Sequence, residues 1–254
     1  MSSYSATGIV LSRTLLGDND RIITVYTKEY GKVSAVAKGA RKAGSRLSGA
    51  TELFTSARLL MAKGRSLDVV SQCEITESFQ VLRHDLELMA RATYLCELLD
   101  HTTVAHDHTA CDRLYDLLMG ALYLLQRAKS YPDGVVHAFE LHLLAELGYA
   151  PVLEECIRCG ERIEEGSASI SVLQGGLLCR EHRHVVRDAE LLTGEALLLL
   201  LQLRDQEADT ILHLSPNPRI TAEIARMLRR YISVRIDRPL KSIAFLDEIR
   251  HTGA

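Results

Sequence analysis

Two short phrases organise this chain: Cys156-Ile157-Arg158-Cys159-Gly160 and Cys179-Arg180-Glu181-His182, with nineteen residues between Cys159 and Cys179. In each phrase two residues separate a pair of thiol or imidazole ligands, so that one tight turn can aim both side chains at one ion. Four protein ligands would fill a tetrahedral shell and leave no position for a reacting water, which favours a structural metal over a catalytic one. The pattern predicts one zinc ion held by Cys156, Cys159, Cys179 and His182.

Glycines beside the two phrases support this interpretation. Gly160 follows the first pair, where a turn often needs positive φ, and Gly175-Gly176 would bring the second hairpin close. Three alternatives stay open. In the first, the two pairs arise by chance. In the second, Cys156 and Cys159 form a redox pair, although the βα context of such a motif is missing. In the third, His184 replaces His182 as the fourth ligand. The spacing favours His182 because Cys-x2-His matches the first pair and Cys-x4-His does not.

Helical periodicity flanks this module on both sides. A break at Pro132-Asp133-Gly134 precedes a helix over Val135–Leu147, and a leucine-rich helix over Thr193–Leu203 follows the module. Leu197 to Leu201 are consecutive, which predicts a helix that is buried nearly all round. Further helices are predicted over 86–99, 111–128 and 221–234. The interpretation is a zinc-binding module, residues 151–187, inserted in a helical domain formed by 81–150 and 188–254.

The region before residue 81 has a different pattern. Its β-branched and alternating segments predict five short strands, over 7–15, 21–27, 33–37, 53–62 and 67–75. Strands at this spacing fit a small closed barrel of the oligonucleotide-binding (OB) kind, with a three-stranded meander plus hairpin as the alternative. The predicted fold class is α+β: an N-terminal five-stranded OB-fold barrel, residues 1–80, followed by an all-α helical domain that carries an inserted zinc-binding knuckle.

Charge is unevenly distributed along the chain. The net charge is −3, but residues 1–80 hold 11 Lys and Arg against 7 Asp and Glu. This asymmetry suggests a nucleic-acid surface at the N-terminal end. Residues 38–46 form a basic loop that contains no acidic residue. It is not a nucleotide phosphate loop, since it lacks a Gly-Lys-Ser/Thr ending and no helix is expected directly behind it. The predicted DNA-binding residues are Lys32, Lys38, Arg41, Lys42 and Arg46; the alternative is a solvated loop.

Other functional classes find little support in the sequence. It contains no Gly-x-Ser-x-Gly, no His-Glu-x-x-His and no dinucleotide fingerprint, so we expect no enzyme and assign no catalytic residue. We also expect neither a secretory signal nor a membrane span. Cys73, Cys96 and Cys111 lie in apolar surroundings, which is typical of free thiols in a reducing compartment. The expected location is therefore cytoplasmic.

Several phrases together resemble the RecO family of bacterial recombination mediators. They are Gly8-Ile9-Val10-Leu11, Asp20-Arg21-Ile22-Ile23, Gly31-Lys32-Val33, Lys38-Gly39-Ala40-Arg41, Leu147-Gly148-Tyr149-Ala150-Pro151 and the closing Arg238-Pro239-Leu240-Lys241-Ser242. The resemblance covers essentially the whole chain. In zinc-containing members the fourth ligand is usually Cys, so His182 is a departure that keeps a zinc-ligand type.

The resemblance implies a nucleoid-associated protein that binds single- and double-stranded DNA and anneals complementary strands without ATP. It also implies two partners, the acidic C-terminal tail of single-strand-binding protein and RecR, and a role in loading RecA recombinase. For the tail, the predicted docking residues are Arg226, Arg229 and Arg230 on helix 221–234. The alternative is that these arginines pair with acids such as Glu223 or Asp237.

Two other functions stay open at this point. One is a zinc-ribbon and OB adaptor that binds RNA in transcription or translation. The other is an enzyme acting on nucleic acid, which would need an acid/base pair or an open metal site that the sequence does not suggest.

Overall fold

The computed structural model describes residues 2–163, 166, 168–236 and 238–252, with the side chains of 250–252 left aside. The chain divides into two compact units. The first comprises residues 1–126 and 240–254, and the second comprises residues 127–239. Packing alone defines these units. The functional division into 1–80, 81–150 with 188–254, and 151–187 stays a prediction.

The described residues form eight strands and nine α-helices, besides one 3₁₀ turn at His182–His184. The strands are β1 (Ser3–Leu16), β2 (Asp20–Thr27), β3 (Gly31–Ala37), β4 (Ser56–Ala62), β5 (Asp68–Glu77), β6 (Ala168–Ser171), β7 (Gly176–Leu178) and β8 (Ala189–Leu192). The helices are α1 (Arg46–Ala50), α2 (Gln80–His84), α3 (Leu86–Thr102), α4 (Cys111–Arg127), α5 (Pro132–Glu146), α6 (Gly194–Asp205), α7 (Ala208–Ile211), α8 (Pro218–Ser233) and α9 (Lys241–Thr252).

The first five strands form a closed barrel in the order β1-β2-β3-β5-β4. Neighbouring strands are antiparallel except β3 and β5, which pair in parallel from Ala35 opposite Asp68. β1 closes the barrel by pairing with β4 through its first half and with β2 through its second half. The structure therefore confirms the predicted five-stranded barrel, and the meander with a separate hairpin is wrong.

Small side chains fill the barrel. A narrow five-stranded barrel leaves little interior space, and alanine is accordingly the commonest buried residue in its core cluster. Ala50 of α1 belongs to the same cluster, so this short helix lies over one end of the barrel. α1 follows the basic loop directly, with Ser45 as its N-cap residue. The expectation that no helix stands behind the basic loop is therefore wrong.

One predicted strand boundary is also wrong. The sequence pattern predicts that residues 53–55 open the fourth strand, but β4 begins at Ser56. Phe54 has a φ of 69° and is fully buried, so this segment turns instead of extending. In the sequence, Phe54 is an apolar residue in a β-rich region and therefore favours a strand. Its left-handed backbone conformation is visible only in the tertiary structure.

The C-terminal helix α9 is anchored in the first unit by a carboxylate on α3. The backbone N–H groups of Lys241 and Ser242 and the hydroxyl of Ser242 all donate to the carboxylate of Glu97. The carboxylate thus caps the positive end of α9 and satisfies N–H groups that have no partner inside the helix. This explains the Leu-Lys-Ser phrase near the end of the sequence.

We expect replacement of Glu97 with alanine to destabilise the first unit by about 1–3 kcal/mol, because three donors lose a charged acceptor. Burial raises the pKa of Glu97, but the bonds from Ser242 and Lys241 outweigh it and leave the pKa below its usual value. The stabilisation is therefore complete above the unfolded pKa of about 4.3 and is lost as pH falls through the lower folded pKa. Chemical denaturation of wild type, Glu97→Ala and Glu97→Gln from pH 3 to 7 measures the free energy of unfolding and its dependence on pH. Parallel stability curves for all three would contradict the anchoring role.

The second unit packs helices against a three-stranded sheet of order β7-β6-β8. The sequence did not predict this sheet, whose strands are only three or four residues long. Pro132, expected to lie in a chain break, instead occupies the first turn of α5. Proline is favoured there because its missing N–H would have no helical partner. No helix in the described part of the chain is long and apolar enough to cross a membrane.

α6 departs from the expectation of burial on all sides. Leu197, Leu199 and Leu200 are buried, whereas Leu198 is 51% exposed. The sequence does not indicate the exposed side of α6, because five consecutive leucines show no helical periodicity. Leu198 lines an apolar groove of about 340 Å³ together with Leu199, Leu214, Pro216 and Ile220.

Candidate metal centre and nucleic-acid surface

Two tight turns bring the predicted metal ligands together. In the first, Gly160 has a φ of 72° and its N–H donates to the carbonyl of Cys156 at 2.8 Å. In the second, the N–H groups of His182 and Arg183 donate to the carbonyl of Cys179 at 3.1 and 3.0 Å. Each turn therefore folds back within one ligand pair, as the two-residue spacing predicts.

The second turn approaches the first closely. A Cβ on Gly176 would lie 2.5 Å from Cγ2 of Ile157 and 2.9 Å from the carbonyl oxygen of Val152, so no larger residue fits there. Gly175 beside it has a φ of 87°, which favours glycine. The predicted close approach at Gly175-Gly176 is confirmed.

The ligand atoms of Cys156, Cys159, Cys179 and His182 all lie within 4.8 Å of one another. The Cys159 and Cys179 sulfurs are 3.9 Å apart, and Nδ1 of His182 lies 3.7 Å from the Cys156 sulfur and 3.1 Å from the Cys179 sulfur. Ligands at zinc distances in a tetrahedron would be about 3.5–3.8 Å apart. The cluster could therefore hold a metal ion, and its donor set suits zinc.

His184 lies outside this cluster. It is exposed, and its Nε2 accepts a hydrogen bond from Nε of Arg183 at 3.0 Å. The structure thus brings His182, and not His184, to the three cysteines. The redox alternative also lacks its usual context, since a turn and an isolated bridge from Glu155 to Arg162 surround the first cysteine pair.

Backbone dipoles favour the thiolate at Cys156. Burial raises the pKa of this thiol, but hydrogen bonds from the backbone of Cys179, Arg158 and Cys159 outweigh burial and lower the pKa to about 6. At Cys159 the backbone of Glu161 lowers the pKa, but burial and the neighbouring thiols of Cys156 and Cys179 raise it to about 11. Three crowded thiols with one already biased towards its anion make a site that a bound cation would stabilise.

The metal ligands adjoin a small core cluster of their own. It consists of Cys156, Leu178 and Val186, with four partly buried neighbours. Other apolar residues of 151–187, such as Ile170 and Leu177, are buried outside this cluster. Three residues are too few to order the two ligand turns alone, and zinc modules of this kind normally depend on the metal.

The basic loop lies at the end of the barrel that α1 covers. Ala40 is buried in the barrel core and anchors the loop, whereas the cations around it are exposed. The N–H of Lys42 donates to the carbonyl of Gly39 at 3.1 Å, and the N–H of Ser45 donates to that of Lys42 at 3.1 Å. Lys38 and Lys42 line one shallow depression, which Asp20 also lines together with small residues of the loop. The exposed cations of the loop are Lys38, Arg41, Lys42 and Arg46.

These four cations differ from several other cations of the barrel, which form ion pairs. Arg13 and Arg21 both pair with Glu52, and Arg58 pairs with Glu74. Lys32 lies apart from the loop, where its Nζ is 3.0 Å from the carboxylate of Asp100 on α3. Within the described residues, none of the four loop cations pairs with a carboxylate. The same is true of two cations in the β4–β5 turn that sequence reasoning did not select, Lys63 and Arg65.

The three arginines of α8 have different surroundings. Arg230 pairs with Glu190 of β8, and Arg229 also has a partner. Arg226 is exposed and has no carboxylate partner in the described ranges. Of the two acids considered as partners, Glu223 instead accepts hydrogen bonds from Thr193, and Asp237 lies outside the described residues. None of the three arginines lines the groove at Leu198.

Comparison with known proteins is consistent along the whole chain. Two family models match, one described as "Recombination protein O N terminal" over residues 1–79 and one described as "Recombination protein O C terminal" over residues 83–244. A protein of Symbiobacterium thermophilum called "DNA repair protein RecO" is 38% identical over 98% of this chain and 99% of its own length. Proteins with the same name from Roseiflexus sp. and Pelotomaculum thermopropionicum are each 36% identical, over 97% and 100% of this chain and 86% and 97% of their own lengths.

Proposed function

The chain belongs to the RecO family, and on that premise we propose that it mediates recombination by binding and annealing DNA strands without ATP. Its role lies in DNA repair and recombination. We infer that it acts by binding and not by catalysis, in the cytoplasm and in association with the nucleoid. The proposal includes binding to single-strand-binding protein and to RecR, through which it would help to load RecA recombinase.

One observation carries the DNA part of the proposal. Three exposed cations of the basic loop, Lys38, Arg41 and Lys42, and Arg46 at the start of α1 lie at one end of an OB-type barrel and have no carboxylate partner within the described residues. These four side chains keep their positive charge available, whereas neighbouring arginines of the barrel are neutralised by carboxylates. Such a group of cations suits a polyanionic ligand. Mobile lysines and arginines contact phosphates without reading bases, which supports binding that is independent of sequence. Lys32 would contribute less, because Asp100 already neutralises it.

An annealing assay tests this function directly. We expect the protein to accelerate pairing of complementary DNA strands without ATP, also when single-strand-binding protein covers them. The control is RNA of the same sequence, because an adaptor of transcription or translation would prefer it. Stronger binding to RNA and no acceleration of DNA pairing would replace the proposal with that alternative.

We further propose that the metal is one structural zinc ion. The ligand distances, the donor set and the small core cluster around the ligands support this role. The ion would hold the two turns together and supply no reaction.

For the tail of single-strand-binding protein, we propose the groove lined by Leu198, Leu214 and Ile220 as the slot for its apolar end. An acidic peptide with an apolar end needs such a slot together with cations for its carboxylates. The exposed Arg226 is the leading proposed cation; Arg229 and Arg230 on α8 would contribute less, because each already has a partner. Glu195 also lines the groove, so the acidic part of the peptide would have to run away from this residue.

Titration of a labelled tail peptide separates the slot from the cations. We expect Leu198→Ser to weaken binding about tenfold, because an apolar side chain of the peptide loses its cover. Arg226→Glu/Arg229→Glu should weaken binding mainly at low salt. Leu191→Ser is the matched control, since Leu191 is 63% exposed in the same unit and does not line the groove. If the wild type fails to bind at low salt, this partner is wrong; if only the arginine variant binds normally, only the placement of the cations is wrong.

A further inference from the structure

The tip of the β1–β2 hairpin exposes two adjacent leucines. Leu15 and Leu16 end β1, opposite Arg21 and Asp20 of β2, and their side chains are 64% and 40% exposed. Leu15 is the most exposed large apolar side chain among the described residues of the barrel strands. Because neighbouring residues of a strand point to opposite faces, the two leucines expose apolar surface on both faces of the tip, and the folding of the barrel gives no reason for this exposure.

Hydrogen bonds tie this tip to the basic loop. The N–H of Arg41 donates to the carbonyl of Asn19 at 2.9 Å, and its guanidinium donates to the carbonyl of Gly17 at 3.3 Å. The N–H of Gly39 donates to the carboxylate of Asp20 at 2.7 Å. These bonds hold the hairpin tip, with its two exposed leucines, beside the basic loop in a fixed arrangement.

An unpaired nucleotide matches a surface of this composition. Its phosphate needs a cation, and its base has an apolar face that a duplex hides by stacking. Aromatic residues usually provide the contact to that face, but Tyr4 and Tyr30 of this barrel pack edge to face against each other, with ring centres 4.8 Å apart. The hairpin after the first strand is also one of the loops with which barrels of this kind bind oligonucleotides.

Resting on the proposed function, we propose that Leu15 and Leu16 contact unpaired bases of the strand whose phosphates lie on the basic loop. The basic loop alone would hold duplex and single strands alike. The leucine contact adds affinity only for exposed bases, so it gives this surface a preference for single strands. It also holds bases unstacked and accessible beside the loop, where a complementary strand can pair with them.

Binding to base-bearing and abasic oligonucleotides of equal length tests the contact, since both carry the same phosphates. We expect wild type to bind the base-bearing strand about tenfold more tightly than the abasic strand. Leu15→Ser/Leu16→Ser should bring this ratio close to one and leave the salt dependence unchanged. Leu15→Phe should raise the ratio, because an aromatic ring covers a base better. Val104→Ser is the matched control, as Val104 is 70% exposed in the same unit.

The outcomes distinguish this inference from the proposed function. Failure of wild type to bind either strand would contradict the proposed function itself. Equal binding of both strands by wild type, or an unchanged ratio in the double variant, would overturn the leucine contact alone. A double variant that binds DNA normally but no longer binds RecR or single-strand-binding protein would make the tip a protein surface and would also overturn it.

Discussion

Protein with Cys159→Ser is expected to lose its bound zinc, and residues 151–187 should unfold while the barrel stays folded. Structural zinc contributes roughly 10–16 kcal/mol of apparent binding free energy in small modules, far more than the core of Cys156, Leu178 and Val186 can supply. Cys159 is exposed, so the change to serine removes a ligand and almost no packing. Elemental analysis should give one zinc per wild-type chain and far less in the variant. Hydrogen exchange should show the loss of protection confined to this module.

Two controls sharpen this result. Cys73→Ser replaces a partly buried barrel cysteine outside the cluster and should retain the zinc. His182→Ala should lose the zinc, whereas His184→Ala should keep it, because only His182 meets the three cysteines. Wild-type protein purified without chelator that contains no metal would contradict the prediction.

Reversing all four loop cations, Lys38, Arg41, Lys42 and Arg46 to Glu, is expected to weaken DNA binding by about two to three decades at 0.1 M salt. Each phosphate contact on a single strand contributes about 0.7 to the slope of log affinity against log salt concentration. Four lost contacts therefore flatten the slope by about 3 and weaken all sequences alike. Fluorescence anisotropy with two unrelated oligonucleotides over a salt series measures both effects.

The matched control for this variant is a paired cation of the same barrel. Arg58→Glu removes an exposed arginine that already pairs with Glu74, so it should alter affinity and slope much less than Arg46→Glu does. The same variants with Gln in place of Glu separate lost attraction from added repulsion. If the quadruple Glu variant bound as tightly as wild type at low salt, the phosphate contacts would lie elsewhere.

The sequence predicted the barrel and the ligand cluster because both depend on local patterns. Alternating β-branched residues with turn signals define short strands, and the paired Cys-x2-Cys and Cys-x2-His spacing defines tight turns at one ion. Strand pairing then follows, since a short hairpin leaves its strands few other partners.

Features that depend on contacts between residues far apart in the chain could not be predicted from the sequence. The role of Glu97 depends on α9, which lies more than 140 residues further along the chain. The exposed Leu198 is hidden in a run of leucines, and Lys32 looks like its basic neighbours until Asp100 is placed beside it. In each case the sequence supplies the residue type, and only the tertiary structure supplies its partner.

The division of the chain also affects the order in which the protein can mature on the ribosome. The first unit includes residues 240–254, so the chain must finish the whole second unit before α9 can reach Glu97. At about 5–20 residues per second, α3 waits about 7–30 seconds for its partner helix. During this interval the barrel and α3 exist without α9, so the face of α3 that α9 covers stays open to solvent and to chaperones. Truncation just before Leu240 would make that transient state permanent.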